Sequence, residues 1–428
     1  MVSISKKGYA EAIPISLHSQ DLSCVQPFCS HFGTCGGCQW QHVSYTAQLV
    51  AKEELIREKL TRIGHIHSPP VAKILAAQPT QYYRNKLEFT FSNKRWLSAA
   101  EIQSGMQLDR RALGFHRPRY FDRVVDIVHC HLQPEPSNAI RLAVGQFARE
   151  QRFTFYDFRQ NKGLLRNLII RTASNGEVMV IVQFGQADEA KITHMMSHIQ
   201  TQFPTVTSLQ YVVNTKYNET FYDLPVHGYY GQPFITEQID GLKWQIGPKS
   251  FFQTNTSQAQ VLYSTVQTLA DLQGGEVVYD LYTGVGTIAH FLARKARYVV
   301  GIDIIEGAIE DARTNAQLNQ LANTSFWVGD MRQMLHEQLV AMYDRPSLVV
   351  ADPPRAGIHP GVLEQLLRIA PEKIIYVSCN PATQARDIDY LQELYRLTKA
   401  QPIDMFPHTS HVENVALLVK KRKNYKTC

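Results

Sequence analysis

The segment IIYVSCNPATQARD puts one thiol, Cys379, directly after an apolar run and just ahead of a proline. A cysteine at a strand end is most often a small buried hydrophobe. To act as a nucleophile it needs thiolate character, access and a positive neighbourhood. Arg355 and Arg386 are the cations the sequence offers. Asp352, in SLVVADPPR, ends a second apolar run and belongs at the same sheet edge; Glu413, in PHTSHVENVALLVKK, precedes a third. A carboxylate placed like Glu413 is ordinarily a solvated edge charge, and it gains meaning only as a partner of Cys379. Thiolate and carboxylate together suit one reaction on a uracil ring. Carbon 5 of uracil is a poor nucleophile until a thiolate adds at carbon 6 and turns the ring into an enolate. Carbon 5 can then take a methyl group from a sulfonium such as S-adenosylmethionine. A base next removes the proton on carbon 5, and elimination frees the cysteine.

A cofactor loop is legible upstream. The stretch VVYDLYTGVGTIAHFLA runs strand, glycine loop, helix, with Gly284 and Gly286 allowing a tight turn and close approach to a ligand. Asp303 ends the next apolar run, 19 residues after Gly284, where an acidic side chain suits ribose hydroxyls. The third glycine of the dinucleotide fingerprint is absent, since position 289 is Ala, and there is no phosphate-binding GK[ST] loop. Two more carboxylates, Asp330 in VGD and Asp352, follow at presumptive strand ends. A row of carboxylates at the carboxyl ends of strands marks the crevice where open α/β sheets bind ligands. A βα turn with glycines used only for geometry is the bland alternative.

The elements that must position these groups fall into three stretches. A short polar lead, a Cys- and Gly-rich segment and the helical pattern YTAQLVAKEELIREKLTRIG occupy 1–74. Residues 75–248 hold short β-rich runs (KLEFTFS, NLIIRTA, EVMVIVQF, LQYVVN) with one helix predicted near 188–202, and read as an α+β domain of mainly antiparallel strands. From 249 to 428, apolar strands alternate with helices, which implies a parallel sheet covered on both faces, with two last strands closing antiparallel at its edge. A length of 428 residues suits two or three domains; 44% hydrophobic and 19% charged residues are ordinary for a globular protein. The formal charge of +6 permits a polyanionic partner without establishing one. With no apolar signal core and no run near membrane-spanning length, the expectation is a soluble, cytoplasmic protein with no membrane contact and no obligate protein partner.

Seven cysteines are present, four of them at Cys24, Cys29, Cys35 and Cys38. Clustered thiols in an intracellular chain favour a metal over disulfides. Gly36 and Gly37 lie between Cys35 and Cys38, and Cys130 in IVHCHLQ offers a further ligand. Four thiolates suit zinc or a 4Fe–4S cluster; zinc sites commonly use two short Cys pairs, and only one is found here. On spacing alone Cys24 rivals Cys29.

Taken in order, CSHFGTCGGCQWQH, YRNKLEFTF, LGFH, GLLRNLIIR, SFFQTN, DLYTGVGT, DPPRAG, SCNP and DMFPHTSHVE resemble the RNA 5-methyluridine methyltransferases that use S-adenosylmethionine, over Cys29 to about Val419. The resemblance implies a Rossmann-like methyltransferase domain at the C-terminus, preceded by an α+β domain with an iron–sulfur site. It implies Cys379 as nucleophile and Glu413 as base. It implies that Gln253, Tyr282, Gly284, Asp303 and Asp352 line the crevice for cofactor and target base, with Asp330 near the adenine. It also implies that Cys29, Cys35, Cys38 and Cys130 hold a 4Fe–4S cluster, zinc being the lesser occupant. The partner is then RNA, with interleaved cations and rings (Tyr82, Tyr83, Arg84, Lys86, Phe89; Phe115, His116, Arg117, Arg119, Tyr120) suited to phosphates and stacked bases, helped by a basic tail of Lys420, Lys421, Arg422, Lys423 and Lys426. The target uridine must be unstacked and flipped toward Cys379. Only 28 residues precede Cys29, fewer than the about 60 of an RNA-binding barrel that several members carry, so that module is expected to be absent or reduced. Iron–sulfur members resemble enzymes of 23S ribosomal RNA, which leads; transfer RNA is the runner-up. An amino-methyltransferase would place an aromatic residue where Arg355 stands, and a cytosine-5 enzyme would offer a second active-site cysteine, for which only Cys428 remains. A non-catalytic RNA-binding protein on the same fold would lack nucleophile, base or glycine, and none is missing.

Overall fold

The computed structural model describes residues 2–6, 9–12, 23–335 and 337–422; Lys423, Lys426 and Cys428 of the tail, and most of the polar lead, lie outside them. The C-terminal sheet has seven strands. Five run parallel in the order Thr324–Val328, Tyr298–Asp303, Val277–Leu281, Leu348–Ala351 and Lys373–Ser378. Glu413–Lys420 and then Tyr395–Ile403 follow, each antiparallel to the strand before it. The expected alternation and the antiparallel edge are both present.

Alternate residues of these strands feed two cores, as the period of two demands. Val278, Val299, Val350 and Ile375 pack with Leu262, Val266, Ile288 and Ile309 of the helices Thr256–Ala270, Thr287–Ala293 and Glu306–Leu318. Val277, Tyr279, Val300 and Val349 point the other way, onto Leu363, Leu366 and Ile388 of Pro360–Ile369 and Pro381–Leu391. The helix Tyr45–Arg62 joins this second core through Ile56 and Leu60. Bridges Val71–Ala400 and Leu75–Ile403 extend the sheet beyond its last strand, so its edge is covered.

The second seven-stranded sheet runs Val124–Asp126, Ala112–His116, Lys86–Ser92, Leu165–Thr172, Val178–Phe184, Ser208–Val213, His227–Gly231. All its pairings are antiparallel except Val178–Phe184 with Ser208–Val213, which are joined by the expected helix, Glu189–Gln202. A further helix, Ser137–Glu150, was not legible in the sequence. It starts at Pro136 without a side-chain cap, so the usual start signal is missing. The two sheets meet where Asn85 N–H donates to the Thr254 carbonyl at 2.8 Å and Asn85 Nδ2 donates to the Gln253 carbonyl at 2.9 Å.

Candidate active site and thiol cluster

Strand order reverses between Val277–Leu281 and Leu348–Ala351, and the functional carboxylates gather at the carboxyl ends of these strands. In the first βα turn, Tyr282, Gly284 and Gly286 all have positive φ, at 62°, 55° and 82°. A Cβ on Gly284 would meet nothing within 4 Å, so this turn faces open space, while its N–H donates to Asp303 Oδ2 at 2.9 Å. Asp303 Oδ1 accepts from Ile305 N–H at 3.0 Å, so the carboxylate bridges two ligand-side loops. Asp330 caps the short helix after its strand and pairs with Arg332, whose hydrogen bonds hold its carboxyl down at about 2. Tyr282 is half-buried and its hydroxyl is bonded by the His359 backbone. Gln253 is half-buried on the approach to the helix Thr256–Ala270. The turn, the open glycine and the carboxylate row fit a nucleoside with a charged sulfur.

Sequence reading missed Asp280. Its position, four residues before Gly284 at a strand end, was the available signal. Asp280 is buried, with Oδ2 accepting from Thr283 Oγ1 at 2.6 Å and from Ala289 N–H at 3.1 Å. Burial pushes its carboxyl up to about 7. Asp352, whose N–H donates to the Leu281 carbonyl at 3.3 Å, is likewise pushed up to about 7 by burial and by Asp280.

Cys379 and Glu413 come together through strand register. Ser378 pairs with Asn414 across the antiparallel ladder, so the next position outward sets Cys379 opposite Glu413. Glu413 is only 5% exposed; burial and then Asp352 raise its carboxyl well above the ordinary range, with Arg355 opposing. The half-buried Cys379 thiol is raised by desolvation, Glu413 and Asp352, and lowered by the charge and a hydrogen bond of Arg355. Arg355 is therefore the cation at the thiol. Arg386, the other cation offered by the sequence, pairs with Asp387 and donates to the Ala356 carbonyl at 3.0 Å. It clamps the loop instead. Asn380 caps Pro381–Leu391 by accepting from Ala382 N–H at 3.2 Å, and its Nδ2 donates to the Arg355 carbonyl at 2.9 Å. The thiol thus sits just before a helix start, where a thiolate is favoured.

The loop leading to Glu413 is held from the N-terminal side. Lys52, on Tyr45–Arg62, donates to Asp404 Oδ1 at 2.6 Å and to the Phe406 carbonyl at 3.0 Å. Tyr45 donates to Asp404 Oδ2 at 2.8 Å. The N–H groups of Gln39 and Trp40 both donate to the His408 carbonyl, at 2.8 and 2.9 Å. Those donors directly follow Cys38.

Cys29, Cys35, Cys38 and Cys130 line one cavity, and Cys24 does not. Burial is the main cause that raises Cys35 to about 12 and Cys38 to about 11, and each of the two also feels the thiols of Cys29 and Cys130. Gly37 N–H donates to Cys35 Sγ at 3.4 Å. A Cβ on Gly36 would lie 2.9 Å from the Pro118 ring, so only glycine lets this turn dock there. Among the described residues no three His, Cys, Asp or Glu side chains are arranged to hold a single ion. Of the interleaved rings expected to meet RNA, Tyr83 and Phe89 are core residues, whereas Tyr82 and Tyr120 are exposed.

Comparison with known proteins agrees with this architecture. Residues 236–421 match the family model described as tRNA (uracil-5-)-methyltransferase. A relative named as an RNA methyltransferase in Bacteroides thetaiotaomicron is 46% identical over 96% of this chain and 92% of its own length. One in Porphyromonas gingivalis, also named as an RNA methyltransferase, is 47% identical over 97% and 91%. The chain belongs to the RNA uracil-5-methyltransferase family. The Pyrococcus abyssi tRNA (uracil-54, C5)-methyltransferase, solved with S-adenosyl-L-homocysteine, superposes with a TM-score of 0.71 at 30% identity, covering 90% of this chain and 86% of that one. Membership makes this chain an S-adenosylmethionine-dependent RNA methyltransferase with a Rossmann-like C-terminal domain. No helix among the described residues is long and apolar enough to cross a membrane.

Proposed function

We propose that this uracil-5-methyltransferase modifies one uridine of 23S ribosomal RNA, in the cytoplasm, through a covalent adduct between Cys379 and carbon 6. The register that sets Cys379 opposite Glu413, beside Asp352 and Arg355, carries this reading. Arg355 favours the thiolate as the Cys379 proton leaves. The sulfur adds to carbon 6, and the electron pair moves onto the ring as an enolate. Carbon 5 then bonds to the methyl group that bound S-adenosylmethionine would supply, the C–S bond breaking to leave neutral S-adenosylhomocysteine. Gln253, Tyr282, Gly284, Asp303, Asp330 and Asp352 would hold that cofactor, with Asp330 the residue for its adenine. Glu413 then takes the proton on carbon 5. The burial that raises its pKa also makes its carboxylate a stronger base than a solvated one. The electron pair left on carbon 5 expels Cys379.

In this reading residues 249–428 carry the chemistry and 75–248 hold RNA. Residues 1–74, with Cys130 returning to them, hold a 4Fe–4S cluster on Cys29, Cys35, Cys38 and Cys130. Convergence of four thiols on one cavity supports the cluster. Transfer RNA is the second reading, favoured by the likeness to the Pyrococcus abyssi enzyme.

The test is RNA containing 5-fluorouridine, supplied as 23S fragments and as tRNA transcripts. Fluorine cannot leave as a proton, so a protein–RNA adduct stable to denaturing electrophoresis is expected with one RNA class and absent in Cys379→Ala. Methyl transfer without any adduct on either class rules out the covalent route. An adduct with tRNA alone moves the target to the second reading.

A further inference from the structure

Arg141 lies on the helix Ser137–Glu150 and is 2% exposed. Its guanidinium donates to the carbonyls of Ile127 and, at 2.9 Å, Val128, and to Asn138 Oδ1 at 3.3 Å. Asn138 in turn brackets Cys130, accepting from its N–H at 2.8 Å and donating to its carbonyl at 3.1 Å. The cation is therefore built into the turn that presents one of the four thiols. Arg141 Nε has no hydrogen-bond partner, and among the described residues the guanidinium makes no ion pair. Of the acids whose charge reaches it, Asp126 is taken by Arg149 at 2.9 Å and Glu135 accepts from Ala139 N–H at 3.1 Å. Arg84 adjoins the same turn, its backbone N–H donating to the Leu132 carbonyl at 2.7 Å, and it too has a buried Nε without a partner.

Burying a guanidinium without an anion is strongly unfavourable. A 4Fe–4S core of charge +2 on four thiolates carries a net charge of −2, and binding it releases the four thiol protons. Two guanidiniums beside the cavity match that charge. We propose that Arg141, seconded by Arg84, is the fixed counter-charge of a dianionic iron–sulfur centre on Cys29, Cys35, Cys38 and Cys130, and sets both its retention and its potential. The inference rests on the cluster proposed above. Groups that support metal ligands from behind commonly change affinity 10–100-fold when removed.

The experiment uses the full chain reconstituted anaerobically with iron and sulfide. Loss of iron to a ferrous chelator and the midpoint potential are both measured. In Arg141→Gln, iron should leave about 10–100-fold faster. The potential should move negative, because the reduced, more highly charged centre loses its counter-ion. Arg141→Lys should restore the potential. Asn138→Ala, which keeps the charge and removes the bonds to Cys130, should speed iron loss and leave the potential in place. A potential unmoved in Arg141→Gln, or moved equally by Asn138→Ala, overturns the counter-charge role. A wild-type chain that takes up no iron overturns the cluster itself.

Discussion

In the proposed route Glu413 and Cys379 share one difficulty: both must lose a proton before they act, and both sit where burial and neighbouring carboxylates oppose that loss. With both pKa values raised, the active fraction grows with pH, so kcat/KM should fall on the acid side of an apparent pKa above the ordinary carboxylate range. Asp352 raises both groups. In Asp352→Asn the acid limb should therefore move to lower pH, whatever happens to the rate itself. A pH–rate profile of the variant with an unmoved limb would contradict this coupling. Glu413→Gln tests the base separately. Adduct formation and methyl transfer precede the proton loss, so this variant should accumulate a covalent protein–RNA complex with ordinary uridine. Turnover should fall on the order of 10²–10⁴-fold, the usual worth of a positioned base. Electrophoresis showing no trapped complex, with turnover intact, would assign the proton to another group.

At the scale of elements, two features can be probed without touching the thiol. Asp280 and Asp352 lie at the ends of neighbouring strands, and burial pushes both carboxyls up to about 7. A sulfonium placed beside them favours their anionic forms. Binding S-adenosylmethionine should then release protons and tighten as pH rises toward and past 7, whereas the neutral thioether of S-adenosylhomocysteine should show much less of this. Calorimetry at pH 6 and pH 8, in buffers of different ionisation enthalpy, gives the proton count; equal behaviour of the two ligands would remove the carboxylates from the sulfur's surroundings. The second feature is the Lys52–Asp404 pair, whose side chains are both 0% exposed. Lys52→Met leaves Asp404 buried without its cation, a loss of about 3–5 kcal/mol. Lys52→Met with Asp404→Asn should recover most of that, as read by denaturant unfolding. If the double variant is no more stable than the single one, packing and not charge explains the loss.

For the whole molecule, the thiol cluster and the reaction centre are mechanically joined. The chain leaves Cys38 and immediately bonds the His408 carbonyl through Gln39 and Trp40, on the same loop that Lys52 holds and that runs into Glu413. In the iron-loaded chain proposed above, removing iron should therefore speed hydrogen exchange over residues 404–411 and weaken methyl transfer, with binding of S-adenosylmethionine little changed, because the cofactor loop hangs from other strands. Exchange rates that do not respond to iron removal would separate the two regions.

Much of this was written in the chain. Apolar runs alternating with helical patterns after residue 249 specify a parallel sheet, since strands buried on both faces must be apolar throughout. Sequence also raised Cys379 and Glu413 as a candidate pair, whereas the resemblance and not spacing set Cys29 rather than Cys24 beside Cys35, Cys38 and Cys130. It could not say which cation serves the thiol. Arg355 and Arg386 were equivalent until the loop after Leu348–Ala351 brought Arg355 to Cys379 and the helix Pro381–Leu391 paired Arg386 with Asp387. Nor could it single out Lys52 or Arg141, whose partners lie far away in sequence or in the backbone, nor separate the buried Tyr83 and Phe89 from the exposed Tyr82 and Tyr120. Composition and spacing carry information about local conformation and residue chemistry. Burial and long-range pairing decide which charges meet, and here that was settled only when an antiparallel strand returned Glu413 to the place opposite Cys379.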